Sequence, residues 1–128
     1  MQKEFSTEIE LRFADLDLYN HVNSVVYFSF LETARVRLFR DVFQEMTGRG
    51  IFLLVGTAEC EYRLPILFDD KVVVTLWISR VGTTSFDIDY RIHDGSARTF
   101  AAARTRMVCF DSVNGVTVAV PDPLRALA

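Results

Sequence analysis

The sequence predicts an α+β domain in which one antiparallel sheet of five to six strands wraps one long central helix. Three observations predict it. From about Asn23 to Thr47 the chain reads as helix, and the first half, Val25-Val26-Tyr27-Phe28-Ser29-Phe30-Leu31, is apolar nearly all the way round. A helix with no wet face belongs inside a protein rather than on its surface. After Gly50 the chain reads almost entirely as strand, and Asp94-Gly95 and Asn114-Gly115 mark tight turns between strands. An antiparallel sheet with a single helix must bury that helix against one face. A helix apolar all round needs cover on every side, so the sheet must curl around it or a second copy must close the far side.

The elements follow in order. Thr7 to Phe13 alternates, with Ile9, Leu11 and Phe13 on one face and Glu8, Glu10 and Arg12 on the other, the pattern of a half-buried strand. Asn23 suits the N-cap of the helix and Gly48 its C-cap. At 1.5 Å per residue the helix is roughly 30 Å long, and its second half turns amphipathic, with Arg35, Arg37, Arg40 and Asp41 expected in solvent. Ile51 to Tyr62 forms a strand with a bend at Gly56, closed by Pro65. Lys71 to Val81 is rich in β-branched residues. In Thr84 to His93, Phe86, Ile88, Tyr90 and Ile92 face in, while Asp87, Asp89 and Arg91 face out. Ala97 to Phe110 is the return strand, in which Ala101-Ala102-Ala103 allows close approach of a helix or ligand, and Val116-Thr117-Val118 closes the pattern.

A chain of 128 residues favours one domain, residues 1–128, with a real hydrophobic core. With 50% hydrophobic and 24% charged residues, disorder and coiled coil are poor fits. A formal net charge of −3 argues against a nucleic-acid partner, since binding the phosphate backbone needs accumulated positive charge. Cys60 and Cys109 lie in apolar, strand-like surroundings and do not make a disulfide framework. Two histidines without clustered Cys/His spacing give no basis for a metal site. No apolar h-region opens the chain and no apolar run is long enough to span a bilayer, so a cytoplasmic protein without a membrane partner is expected.

The chemistry-bearing residues gather where an extended segment meets the helix: Asp15, Asp17, Asn20, His21 and Asn23 fall within nine positions. Asp15 and Asp17 could serve simply as acids favoured near a helix N-terminus; Asp15 is read as structural.

Around this segment the chain resembles the hotdog-fold thioesterases of the 4-hydroxybenzoyl-CoA thioesterase type. The match is carried by Phe13-Ala14-Asp15-Leu16-Asp17, His21-Val22-Asn23, Tyr27 and Glu32. Later blocks are Glu61-Tyr62-Arg63-Leu64-Pro65-Ile66, Asp70-Lys71-Val72 and Gly82-Thr83-Thr84-Ser85-Phe86. The segment is also similar to the Asp-x-Asn-x-His-Val-Asn-Asn run of acyl-carrier-protein thioesterases, with Tyr19 in place of the first asparagine and Ser24 in place of the last. The resemblance implies a hotdog fold and hydrolysis of a small acyl or aryl thioester, without metal or cofactor. The substrate is then an acyl-CoA or a carrier-protein thioester, and the protein a homo-oligomer, a dimer or a dimer of dimers such as a homotetramer.

The resemblance places the catalytic acid on Asp17. A carboxylate can act as general base on water or attack the thioester directly, and both roles stay open. The oxyanion needs donors, which a helix N-terminus supplies through unpartnered N–H groups, here the backbone N–H of Ser24 or of Val25. His21 would polarise the carbonyl, assist the base or order the loop. Asn23 and Tyr27 are expected to line the substrate, Asn23 chiefly as a cap. Arg80 with the hydroxyls of Thr83, Thr84 and Ser85 would meet the CoA phosphates, with Arg98, Arg104 and Arg106 as further candidates. Glu32 is read as an ion-pair partner of Arg35, and Glu59 as the second candidate for the base. Two other functions are compatible with the segment: a hotdog hydratase or dehydratase, which pairs an aspartate with a histidine, and a non-catalytic acyl-CoA binding module.

Overall fold

In the computed structural model, which describes residues 2–128, the sequence condenses onto one curved sheet. Strand β1 (Phe5–Ile9) leads through a single 3-10 turn (Phe13–Asp15) to helices α1 (Val26–Leu38) and α2 (Arg40–Gly48). Strands β2 (Ile51–Tyr62), β3 (Val72–Val81), β4 (Ser85–His93), β5 (Thr99–Asp111) and β6 (Val116–Thr117) follow, then a short helix α3 (Asp122–Arg125). The strand order is β1-β3-β4-β5-β2, every pairing is antiparallel, and β6 pairs with the end of β5 that outruns β4. This is the hotdog arrangement, with β2 and β1 at the two edges.

Side-chain alternation places the core between sheet and α1. Tyr27, Phe30, Leu31 and Ala34 of α1 are buried with Val74, Leu76 and Ile78 of β3, Phe86, Ile88, Tyr90 and Ile92 of β4, and Ala101, Ala103 and Met107 of β5. The alanines sit in register with Ile92 and Tyr90, leaving room for the large side chains beside them. Gly56 marks a bulge between Val55 and Thr57 where β2 bends; a Cβ there would come to 3.1 Å of the Val108 side chain. The hairpin turns expected at Gly95 and Gly115 both form, each glycine with positive φ.

Four expectations are corrected. The helix expected over 23–47 is two helices, broken at Phe39 (φ −114°, ψ 20°). Hydrogen bonding runs through the break, from the Phe39 N–H to Arg35 O and from the Phe43 N–H to Phe39 O, so the axis bends rather than stops. The buried Phe39 ring packs edge-on against Phe5, 5.2 Å between centroids, a long-range contact that no local signal announces. The helix begins at Val26, and its left-handed stop is Gly50 (φ +76°) rather than Gly48. The first strand is Phe5–Ile9, not Thr7–Phe13, because its partner β3 begins at Val72; Phe13 is 81% exposed. Arg35 lies only 8% exposed instead of reaching solvent, since it continues the inward stripe of Tyr27 and Leu31 at four-residue spacing. Phe28 and Val36 of α1 remain exposed within one chain, which agrees with the alternative that a second copy covers part of the helix. The C-terminal helix α3 was not foreseen. It buries Leu124 and fixes Arg125 to the carbonyls of Val120 and Gly82.

Candidate active site

The segment between the 3-10 turn and α1 is a tight loop. The Asp17 N–H donates to His21 O (2.8 Å), the Asn20 N–H to Asp17 O (3.1 Å), and Leu16 bridges Val22. Asn20 takes φ +60°, a left-handed conformation asparagine tolerates better than most residues. The loop is tied to the stretch after β2 by the Val22 N–H on Ile66 O (2.9 Å) and by a bridge from His21 to Leu67.

The two acids have opposite environments. Asp15 is buried, and both its oxygens are held by Arg12, through the backbone N–H and the guanidinium, each at 2.9 Å. Asp17 is half-buried. Its Oδ1 accepts the N–H groups of Tyr19 (2.8 Å) and His21 (3.3 Å), which order the loop, while its Oδ2 has no hydrogen bond among the described residues.

At the helix mouth Asn23 acts as an adaptor rather than the N-cap itself. Its Oδ1 accepts the Val25 N–H (3.0 Å) and its carbonyl accepts the Val26 N–H (2.9 Å). Of the two backbone donors singled out from the sequence, that of Val25 is therefore engaged. That of Ser24 has no acceptor among the described residues. The Ser24 carbonyl accepts a short hydrogen bond from the Tyr62 hydroxyl (2.6 Å). Tyr62 stands edge-on against Tyr27, centroids 4.8 Å apart at 76°. Tyr27 is buried, and burial pushes its phenol up to about 12, against the effect of a hydrogen bond with the Ile66 backbone.

Asp17, His21, Val22, Ser24, Tyr27, Tyr62, Arg63, Leu64 and Pro65 line one open cavity of about 330 Å³. The structure thus brings together Asp17, His21, Ser24 and Tyr27, with Asn23 and Val25 beside them. Tyr62 and Arg63 are site residues to which sequence reasoning assigned no role. The signal was present in the Glu61-Tyr62-Arg63-Leu64-Pro65 block, an aromatic residue at the end of a strand that a proline closes.

Arg80, Thr83, Thr84 and Ser85 lie elsewhere. Tyr62 pairs with Ala101, whereas Ser85 pairs with Val108, itself opposite Leu54, so seven residues of β5, roughly 23 Å, separate the two ends. Arg80 and Arg106 both grip the buried Asp87, and Arg80 also donates to Ser85. Burial alone would raise the Asp87 carboxyl; the two guanidinium groups outweigh it and hold it down at about 2. Arg104 pairs with Asp89, and Arg98 with Asp70 and Asp94. Glu32 is exposed, 3.9 Å from Arg35. Glu59, opposite Arg104 on β2, lines a different cavity from Asp17. Cys60 and Cys109 are free thiols, both pushed up by burial. Among the described residues no group of three His, Cys, Asp or Glu side chains could hold a metal, and no helix is long and apolar enough to cross a membrane.

One curled antiparallel sheet therefore packs on a central helix, and Asp17 and Ser24 line a cavity at the mouth of that helix. A family model described as the thioesterase-like superfamily matches residues 11–127, and the chain belongs to that family. It is 30% identical over 122 residues to the long-chain acyl-CoA thioesterase FadM of Escherichia coli, covering 93% of this chain and 92% of that one. It is 27% identical to the 1,4-dihydroxy-2-naphthoyl-CoA hydrolase of Thermosynechococcus vestitus, covering 91% and 82%. Among solved structures, the PA2801 protein of Pseudomonas aeruginosa superposes with a TM-score of 0.85 at 31% identity over 94% of this chain and 95% of its own.

Proposed function

We propose that the protein hydrolyses an acyl-CoA or aryl-CoA thioester to the free acid and CoA, with Asp17 as base or nucleophile. The observation that carries this reading is that Asp17 and Ser24 line one cavity at the mouth of α1, while the Asp17 Oδ2 and the Ser24 N–H are engaged by nothing among the described residues. As base, Oδ2 takes a proton from water while the water oxygen bonds to the thioester carbon. The carbonyl electron pair moves onto oxygen, where the Ser24 N–H donates to it. The pair then returns, the carbon–sulfur bond breaks, and the CoA thiolate leaves to be protonated. As nucleophile, Oδ2 bonds to the thioester carbon, the carbon–sulfur bond breaks with release of the CoA thiolate, and water then opens the mixed anhydride to free the acid and restore the carboxylate. His21 lines the same cavity and orders the Asp17 loop through its backbone. The relatives' names, one for long-chain acyl-CoA and one for a dihydroxynaphthoyl-CoA, support a CoA thioester with an apolar acyl or aryl group.

The active assembly is a homo-oligomer, a dimer or dimer of dimers. Strand β2 is a sheet edge with no outer partner among the described residues, and Phe52, Leu54 and Val55 are exposed along it. A second copy running antiparallel along β2 would lay its Ile51 end beside the Tyr62 end of the first. That brings its Thr83-Thr84-Ser85 turn, with Arg80, towards the Asp17 cavity, where CoA phosphates would extend. The test is thiol release from a panel of long-chain, short-chain and aromatic acyl-CoAs, with the oligomeric state followed by sedimentation. Release from at least one substrate by a dimer or larger assembly supports the reading. Hydration of an enoyl-CoA without thiol release, or binding without turnover, sinks it.

A further inference from the structure

The Tyr62 hydroxyl reaches across from the edge strand to a carbonyl 38 residues away, and nothing in the packing of the core demands that bond. The phenol is exposed, and its ring is placed by the edge-on contact with buried Tyr27. Its acceptor, Ser24 O, belongs to the peptide that links Ser24 to Val25, and the N–H of this same peptide is the one held by Asn23 Oδ1. The peptide is thus gripped at both ends by side chains, outside the regular hydrogen bonding of α1, which begins at Val26. The preceding peptide has its carbonyl fixed by the Val26 N–H, which leaves the Ser24 N–H pointing the opposite way, without a partner.

Resting on the reading of Asp17 and Ser24 above, we propose that Tyr62 is a positioning residue for thioester hydrolysis, holding the Ser24 carbonyl so that the Ser24 N–H meets the oxyanion unopposed. A residue just outside a helix has little to prevent its peptide from turning over. Were the Ser24–Val25 peptide to turn, a bare carbonyl oxygen would stand beside the donor, and its lone pairs would oppose the charge that develops on the thioester oxygen. The phenol both fixes the direction of that carbonyl and occupies its lone pair with a proton. Partial desolvation raises the Tyr62 phenol, so the proton is retained throughout the neutral range.

The test is Tyr62→Phe, which removes one oxygen and keeps the ring contact with Tyr27. The expected result is a fall in kcat of about tenfold, less than the ~10²–10³ for loss of a direct oxyanion donor, with KM and melting temperature unchanged. Affinity for a CoA analogue carrying a trifluoromethyl ketone, which forms an oxyanion, should fall by the same factor; affinity for an S-alkyl-CoA, which has no carbonyl, should not. Asn23→Ala acts on the other end of the same peptide, so the two losses in kcat should be less than additive in the double variant. Unchanged kcat in Tyr62→Phe, an equal loss of S-alkyl-CoA binding, or full additivity with Asn23→Ala overturns the proposal while leaving the thioesterase reading intact. A parent protein that releases no thiol from any acyl-CoA overturns both.

Discussion

The two ends of the sheet treat their charges in opposite ways. At the β3–β4 turn, Asp87 is enclosed by Arg80 and Arg106, and Ser85 completes the cage. Both carboxylate oxygens of Asp87 accept from guanidinium groups of its own chain. At the other end, the Asp17 loop holds one carboxylate oxygen in two backbone bonds and leaves the second open, beside a backbone N–H that is open too. A satisfied charge cluster stabilises and specifies a fold, whereas polar atoms left open beside a cavity can act on a ligand. Two acids only two residues apart, Asp15 and Asp17, repeat the contrast at shorter range.

Asp17→Asn probes the contrast most severely. Asparagine keeps an oxygen to accept from Tyr19 and His21, so the loop and melting temperature should persist. Oδ2 is replaced by an amide that can neither take a proton nor attack, so thiol release should fall by at least ~10². Near-parental turnover in a folded Asp17→Asn protein would move the search for the base to Glu59.

Asp87→Ala should do the reverse. Two guanidinium groups would be left facing each other across the emptied site, at a cost of about 1–3 kcal/mol once the partial exposure of the arginines is allowed for. Denaturant unfolding should show the loss, while kcat per folded molecule stays near the parent value. A large drop in kcat with unchanged stability would erase the distinction between the two ends.

Asp15→Asn should lower the melting temperature by about a few degrees, through the weakened grip of Arg12 on a buried oxygen. Turnover by the folded protein should change far less than in Asp17→Asn, and comparing the two variants under saturating substrate sharpens the division of labour between neighbouring acids.

The smallest expected effect is a pH dependence of stability at a third place, the β4–β5 turn. His93 Nδ1 accepts the Gly95 N–H (3.0 Å), so the ring proton sits on Nε2, which donates to Thr75 Oγ1 (2.7 Å). Burial, with the nearby Arg91 charge adding to it, lowers the His93 pKa below 6.5, and Asp94 and Glu4 only partly offset this. The folded state thus prefers neutral His93. Its contribution is present above pH 6.5 and is lost as the pH falls through that value towards the lowered folded pKa. Melting temperatures measured between pH 8 and pH 5 should decline more steeply for the parent than for His93→Gln. Parallel curves would exclude the histidine as the source.

Much of the fold was legible in the residues themselves. Strand β2 begins and ends where its β-rich run and the following proline placed it, Gly56 makes its bend, and Gly95 and Gly115 turn the hairpins. The apolar buried set of β4 follows the alternation of Phe86, Ile88, Tyr90 and Ile92. Side-chain period and turn conformation are decided by residues a few positions apart, so a linear reading reaches them. By itself the sequence also determined which residues stand at the helix mouth, because Asp17, His21 and Ser24 are near neighbours in the chain.

Only the tertiary structure decided which of those groups remain open. The bend at Phe39 depends on Phe5, and the early end of β1 depends on where β3 begins. The engagement of Arg80 and Arg106 depends on the register that sets both beside Asp87. The grip of Tyr62 on Ser24 depends on β2 ending over α1. Each is a contact between segments far apart in sequence, set by strand register and side-chain packing, and an unengaged donor or acceptor is defined only after every such contact has been made.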